Sequence, residues 1–189
     1  SPARRAADAA MSLLAGASAI IIDERDCPGG SPAMVGHLVA YFTPPGADIF
    51  NTFRSRRGEG RENNFVDPRG ERRLDTPLFI VTSGRTGSAC EAFAYTLHAA
   101  GRATIVGQRS GGAANPGGMV PLRDGFSIFV SGGSPVNPIT GRNWEGTGVP
   151  VDVEAANAES LRRARVLALE AILAGQPSPA AAREAQWAL

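Results

Sequence analysis

One local pattern occurs twice in this chain and constrains its fold more than any other feature: an apolar run, a sharp turn and a helix-forming stretch. The first unit begins with Ser18 to Asp23, centred on Ile20-Ile21-Ile22. It turns through Glu24-Arg25-Asp26-Cys27-Pro28-Gly29-Gly30 and enters a helix with Ser31 as N-cap and Pro32 at the first helical position. Val35, Leu38, Val39 and Phe42 then share one helical face, and Pro44-Pro45-Gly46 stops the helix. The second unit is the strand Pro77 to Thr82, a turn through Thr86-Gly87, and a helical run from Glu91 to Ala100 whose buried face carries Phe93, Leu97 and Ala100. Wholly apolar strands that alternate with helices predict an α/β fold built on a parallel sheet. In such a sheet both turns lie at the same edge, so Gly29-Gly30 should approach Thr86 to Ala89.

The rest of the chain fits around these units. Ala3 to Ala15 reads as an amphipathic helix ended by Gly16. Residues 47–76 read as an irregular surface loop or a substrate-binding flap; Arg54, Arg56, Arg57, Arg61, Arg69, Arg72 and Arg73 crowd it among acidic residues. Ala103 to Val106 is the next strand. Met119 to Leu122 and Phe126 to Val130 form a hairpin through Arg123-Asp124-Gly125. A short strand is expected over Val149 to Val153, and a last amphipathic helix over Leu161 to Leu173. The expected division is a core over 1–175 and an Ala- and Pro-rich tail over 176–189, with one last turn carrying Trp187.

Composition narrows the chemistry. A chain of 189 residues suits one α/β domain with a real core. A net charge of +1 argues against a general nucleic-acid-binding surface, and no apolar run approaches the ~20 residues of a membrane span. All 19 basic side chains are arginine. Without a lysine the chain cannot build a serine–lysine dyad, a Schiff base or a phosphate-loop lysine. The Asp23, Glu24 and Asp26 cluster has no histidine beside it, so no metal or other cofactor is expected. The N-terminus has neither Met nor a signal-like segment, and a fragment of a longer polypeptide is expected, with an upstream domain.

The second turn carries the chemistry. In Thr86-Gly87-Ser88-Ala89-Cys90-Glu91, Ser88 reads in two ways. It is an N-cap whose capping box Glu91 completes, or a nucleophile beside the free N–H groups and positive dipole end of a helix. On the second reading the N–H groups of Gly30 and Ala89 could form an oxyanion hole. Cys27 and Cys90 fall in the two turns that should meet, where two small buried thiols are expected rather than a disulfide. The two histidines are poor bases. His98 is about 15 Å along its helix from Ser88, and His37 about 10 Å up its own; both are expected at the surface.

Five segments together carry a resemblance. They are Ile22-Asp23-Glu24-Arg25-Asp26-Cys27-Pro28-Gly29-Gly30, the hexapeptide around Ser88, Gly101-Arg102-Ala103-Thr104-Ile105-Val106-Gly107, Leu122-Arg123-Asp124-Gly125, and Asn143-Trp144-Glu145-Gly146-Thr147-Gly148-Val149. In this order they resemble the S41 peptidases, the C-terminal-processing and tricorn-core proteases, with the interphotoreceptor retinoid-binding modules. The resemblance implies a crotonase/Clp-like α/β core of spiralling ββα units with a mostly parallel sheet. It implies Ser88 as nucleophile and Gly30 and Ala89 as oxyanion donors. One catalytic design of that family uses a lysine at the position held here by Ala113. The other uses serine, histidine, a second serine and a glutamate, which Glu145 matches. The resemblance thus implies a serine endopeptidase of the tricorn branch acting on a protein or peptide, secreted or periplasmic, with its histidine upstream and residues 1–189 inactive alone. The alternative it leaves is a non-catalytic module for a retinoid or other apolar ligand. In the family Leu usually stands where this chain has Glu24.

Overall fold

The computed structural model describes residues 1–61 and 68–189. Its centre is a four-stranded, wholly parallel sheet in the order β1 (Ile20–Asp23), β4 (Leu78–Thr82), β5 (Thr104–Gly107) and β9 (Val153–Glu154). Every residue of β4 is buried, as a strand covered on both faces must be. Alternation divides its side chains between two layers. Leu78 and Ile80 join Ile20, Ile105, Val35, Val39, Phe42, Phe93 and Leu97 in the larger core. Phe79 and Val81 join Val106, Ala164 and Ala168 on the other side.

The first layer holds α2 (Pro32–Val39) and α3 (Ser88–Ala99), which follow β1 and β4 and pack on each other. Two crossovers running the same way along one sheet place their helices on one face by the right-handed rule. The opposite face is covered by α4 (Asn157–Ala174). Its apolar stripe explains the short side chains at the contact: Ala164 and Ala168 let the helix sit close to the strands. Beyond it α5 (Pro179–Ala188) is a ten-residue helix docked on α4, longer than the single turn expected there. Ala185 is the buried residue of α5, while Trp187 is 91% exposed.

Four further details differ from the sequence reading. The strand expected over Val149 to Val153 shortens to β9, because Asp152 is already engaged with Ile105, its N–H donating to the carbonyl and its Oδ2 accepting the Ile105 N–H. The stretch 47–76, expected to be irregular, contains β2 (Thr52–Ser55) and β3 (Gly58–Arg61), an antiparallel pair that β8 (Ser134–Val136) extends on the other side of β2. The part of that expectation over residues 62–67 lies outside the described residues. His37, expected at the surface, is 2% exposed. The helix α1 (Pro2–Leu13) packs over it, and Asp8 takes hydrogen bonds from Tyr41 Oη and His37 Nε2, each at 2.7 Å. Finally, Cys27 and Cys90 are joined as a disulfide rather than left as two thiols. The hairpin of β6 (Gly117–Pro121) and β7 (Ser127–Ser131) forms as expected, turning through Arg123–Gly125.

Candidate active site

The turns after β1 and β4 meet at the carboxyl edge of the parallel sheet. The Gly87 N–H donates to the Cys27 carbonyl at 2.9 Å, and the Thr86 hydroxyl donates to the Glu24 carbonyl at 2.7 Å. Two glycines make this approach physically possible. Gly29 lies at φ +129°, and a Cβ there would fall 2.7 Å from Ser88 Cβ. A Cβ on Gly87 would fall 2.9 Å from the Pro28 carbonyl oxygen. The Cys27–Cys90 disulfide closes the same junction covalently.

Ser88 opens α3, yet its backbone is at φ 49°, the left-handed region that costs a non-glycine residue roughly 1–3 kcal/mol. The structure separates the two roles that the sequence left open for it. The N-cap position is held by Gly87, and no side chain caps there. The capping is done in reverse by Glu91, whose Oε2 accepts the Ser88 N–H at 2.7 Å. The Ser88 side chain is thereby left at an exposed turn.

Glu91 is a residue whose full part the sequence did not reveal. It is completely buried and accepts four hydrogen bonds. Besides Ser88 these come from the Ala113 N–H to Oε2 at 2.9 Å, and from the Gly112 N–H and the Ser110 hydroxyl to Oε1, both at 2.6 Å. A carboxylate with two acceptor oxygens is suited to this set. Ser110 Oγ in turn accepts the Val149 N–H at 2.8 Å. One side chain thus fixes the serine turn to the 110–113 loop. Only the Glu91–Ser88 link is local enough to be read as a three-residue spacing.

The neighbouring loop is held by the second carboxylate. Glu145 Oε2 accepts the N–H groups of Ala114 and Asn115, both at 2.8 Å. Between the loops is a cavity of about 180 Å³ lined by Gly30, Val35, Ser88, Ala89, Ala114 and Trp144, among others. The structure therefore brings Ser88, Gly30 and Ala89 to one cavity. Glu145 lies behind its wall, bonded to the wall's backbone.

The charged groups nearby are arranged differently from one another. Asp23 is bridged by Arg25, which holds its carboxyl below the usual carboxylate range. Asp26 pairs with Arg85. Glu24 is buried, with Oε2 lacking any hydrogen-bond partner among the described residues. Burial pushes its carboxyl well above 4.5, and the charges of Asp23 and Glu91 push it the same way. Neither histidine stands free to serve Ser88: His37 is bonded to Asp8, and His98 to Asp152 at 3.0 Å.

Comparison with known proteins agrees with this architecture. The profile of Peptidase family S41 matches residues 2–155. The chain belongs to this family. It is similar to a carboxyl-terminal-processing protease of Synechocystis, with 29% identity over 116 residues, 61% of this chain and 26% of that one. It is also similar to the chloroplastic carboxyl-terminal-processing peptidase 1 of Arabidopsis thaliana, with 30% identity over 123 residues, 65% of this chain and 24% of that one. The chain thus spans about a quarter of the length of these curated relatives. Among solved structures, the fold is shared with a photosystem II D1 C-terminal processing protease, at TM-score 0.60 and 24% identity, covering 86% of this chain and 43% of that one. It is shared too with mature CPAF, at TM-score 0.66 and 16% identity, covering 85% and 44%.

Proposed function

We propose that this chain is the core of a serine endopeptidase, with Ser88 as its nucleophile. The observation that carries the reading is the Ser88 turn itself: a strained φ of 49° at an exposed serine, fixed by Glu91 and packed against Gly29. Strain kept at one polar residue by its surroundings is a reason to look for function there. In the proposed reaction Ser88 Oγ attacks the peptide carbonyl carbon and gives its proton to a base. The carbonyl oxygen becomes an oxyanion that the N–H groups of Gly30 and Ala89 receive. The C–N bond then breaks, the leaving amine takes the proton, and water hydrolyses the acyl–serine ester. Glu145 orients the base, a serine–histidine pair supplied from outside residues 1–189.

The small apolar cavity beside Ser88 favours this reading over an apolar-ligand module. At about 180 Å³ it is below the roughly 300–1,000 Å³ of sites that enclose a drug-sized molecule. The test is labelling of the full-length protein with a fluorophosphonate. The expected result is a label on Ser88 that vanishes in Ser88→Ala, and no turnover by residues 1–189 alone. Peptide cleavage that persists without Ser88 would sink the proposal.

A further inference from the structure

A second and larger concavity lies next to the serine cavity. It measures about 1010 Å³ and runs between β2, the Arg56–Arg57 turn and the base of the β6–β7 hairpin. Its lining includes Phe53, Arg54, Arg56, Arg57, Asn115 and Ser131, and among the described residues no carboxylate. Arg54 is paired with Glu59 at 2.8 Å. Arg56 and Arg57 are exposed at the turn and form no ion pair among the described residues. The wall between the two concavities is a single short segment. Ala114 and Pro116 line the serine cavity, while Asn115 between them lines the basic cleft. The Asn115 N–H is held by Glu145, so this wall is fixed by the same carboxylate placed at the site.

We infer that the basic cleft binds a carboxylate of the peptide whose scissile bond lies at Ser88, either a C-terminal carboxylate or the side chain of an acidic residue. The inference rests on the peptidase reading for its substrate, but its chemistry is the cleft's own. Two guanidiniums with no ion-pair partner among the described residues, each with a planar fork of donors, are matched to carboxylate geometry. An extended chain advances ~3.3–3.6 Å per residue, so a peptide crossing a wall one residue thick reaches the cleft within a few positions of the serine. Among the described residues no carboxylate lines the cleft, and the nearby Glu59 is engaged by Arg54, so a carboxylate entering it meets attraction from the Arg56–Arg57 turn.

The experiment measures binding of fluorescein-labelled octapeptides to the full-length Ser88→Ala protein by anisotropy. Four peptides share one neutral sequence: an amide, a free acid, an amide bearing three glutamates and an amide bearing three arginines. We expect the free acid, the glutamate peptide or both to bind about tenfold more tightly than the neutral amide, with the difference shrinking as salt rises. Preference for the free acid assigns the terminal carboxylate; preference for the glutamate amide assigns the side chain. In an Arg56→Glu/Arg57→Glu protein the preference should reverse toward the arginine peptide, a gain that an unfolded protein cannot show. Equal affinity for all four peptides, or an acidic preference that survives the double substitution, would overturn the inference. Fluorophosphonate labelling of the parent protein, with Ser88 and both arginines intact, tests the two readings apart. A label with no carboxylate preference removes the cleft's role alone, and a carboxylate preference with no label removes the nucleophile's role alone.

Discussion

At Ser88 the backbone adopts a conformation that an isolated residue avoids, and Glu91 is what makes it hold. The Glu91 carboxylate ties Ser88 to residues 110, 112 and 113, so its replacement should be felt in both stability and the serine turn. In Glu91→Gln an NH2 replaces one of the two carboxylate oxygens and cannot accept from the donors facing it, and hydrogen bonds to a charged group are worth about 1.5–3 kcal/mol each. We expect a loss of roughly 2–3 kcal/mol in denaturant unfolding and slowed fluorophosphonate labelling of Ser88; a variant as stable and as reactive as the parent would show that the four bonds are dispensable. Glu24 makes the opposite kind of prediction. Its folded-state carboxyl titrates well above 4.5, because burial and then the Asp23 and Glu91 charges oppose ionisation. The folded chain therefore keeps a proton that the unfolded chain gives up. Stability is intact below the ordinary value and is lost as pH rises through the folded one. Unfolding of the parent protein at pH 5 and pH 8 should show this decline, and Glu24→Leu, the residue usual in the family, should remove it. Equal slopes for the two proteins would refute the assignment.

The elements that build the site were legible to unequal degrees, and the physical reason is locality. The strand β4, the helices α2 and α3, and the approach of Gly29-Gly30 to the serine turn follow from apolar spacing and from glycine and proline punctuation within a few residues. The burial of His37 did not, because its cover is α1, which supplies Asp8 29 residues away in sequence. The strands β2 and β3 were missed because Phe53 is their one large apolar side chain among charged ones, and a period of two cannot be read from one residue. Glu91 was read only as a cap partner, since the loop that completes its role begins 19 residues on. Cys27 and Cys90 were expected to be neighbours, but proximity alone does not distinguish thiols from a disulfide. The disulfide belongs to this scale, since it ties the turn after β1 to the first turn of α3. It closes a loop with a sequence separation of 63, for which chain-entropy estimates give about 4 kcal/mol. Unfolding with and without reductant should differ by about that much, and a Cys27→Ser/Cys90→Ser protein should match the reduced one. An unchanged midpoint would mean that the bond contributes nothing.

Across the whole molecule the stability is unevenly distributed. The parallel sheet is sandwiched between α2 and α3 on one side and α4 on the other, and its central strand is wholly buried. The β6–β7 ribbon has no such cover: Phe126 is 71% exposed, and Met119, Val120, Ile128 and Phe129 are exposed with it. A two-stranded ribbon is marginal on its own, so its amide hydrogens should exchange by local opening, well before those of β4, which require global unfolding. Hydrogen exchange read by mass spectrometry checks this, and equal protection of the two would contradict it.

Trp144 and Trp187, the two tryptophans of the chain, stand at opposite extremes, 1% and 91% exposed. Iodide dissolved in the buffer can collide with the indole on α5 but not with the one in the wall of the serine cavity. The emission that survives quenching comes from Trp144 alone. The protein therefore carries its own optical gauge of whether the space beside Ser88 is filled, with no dye attached.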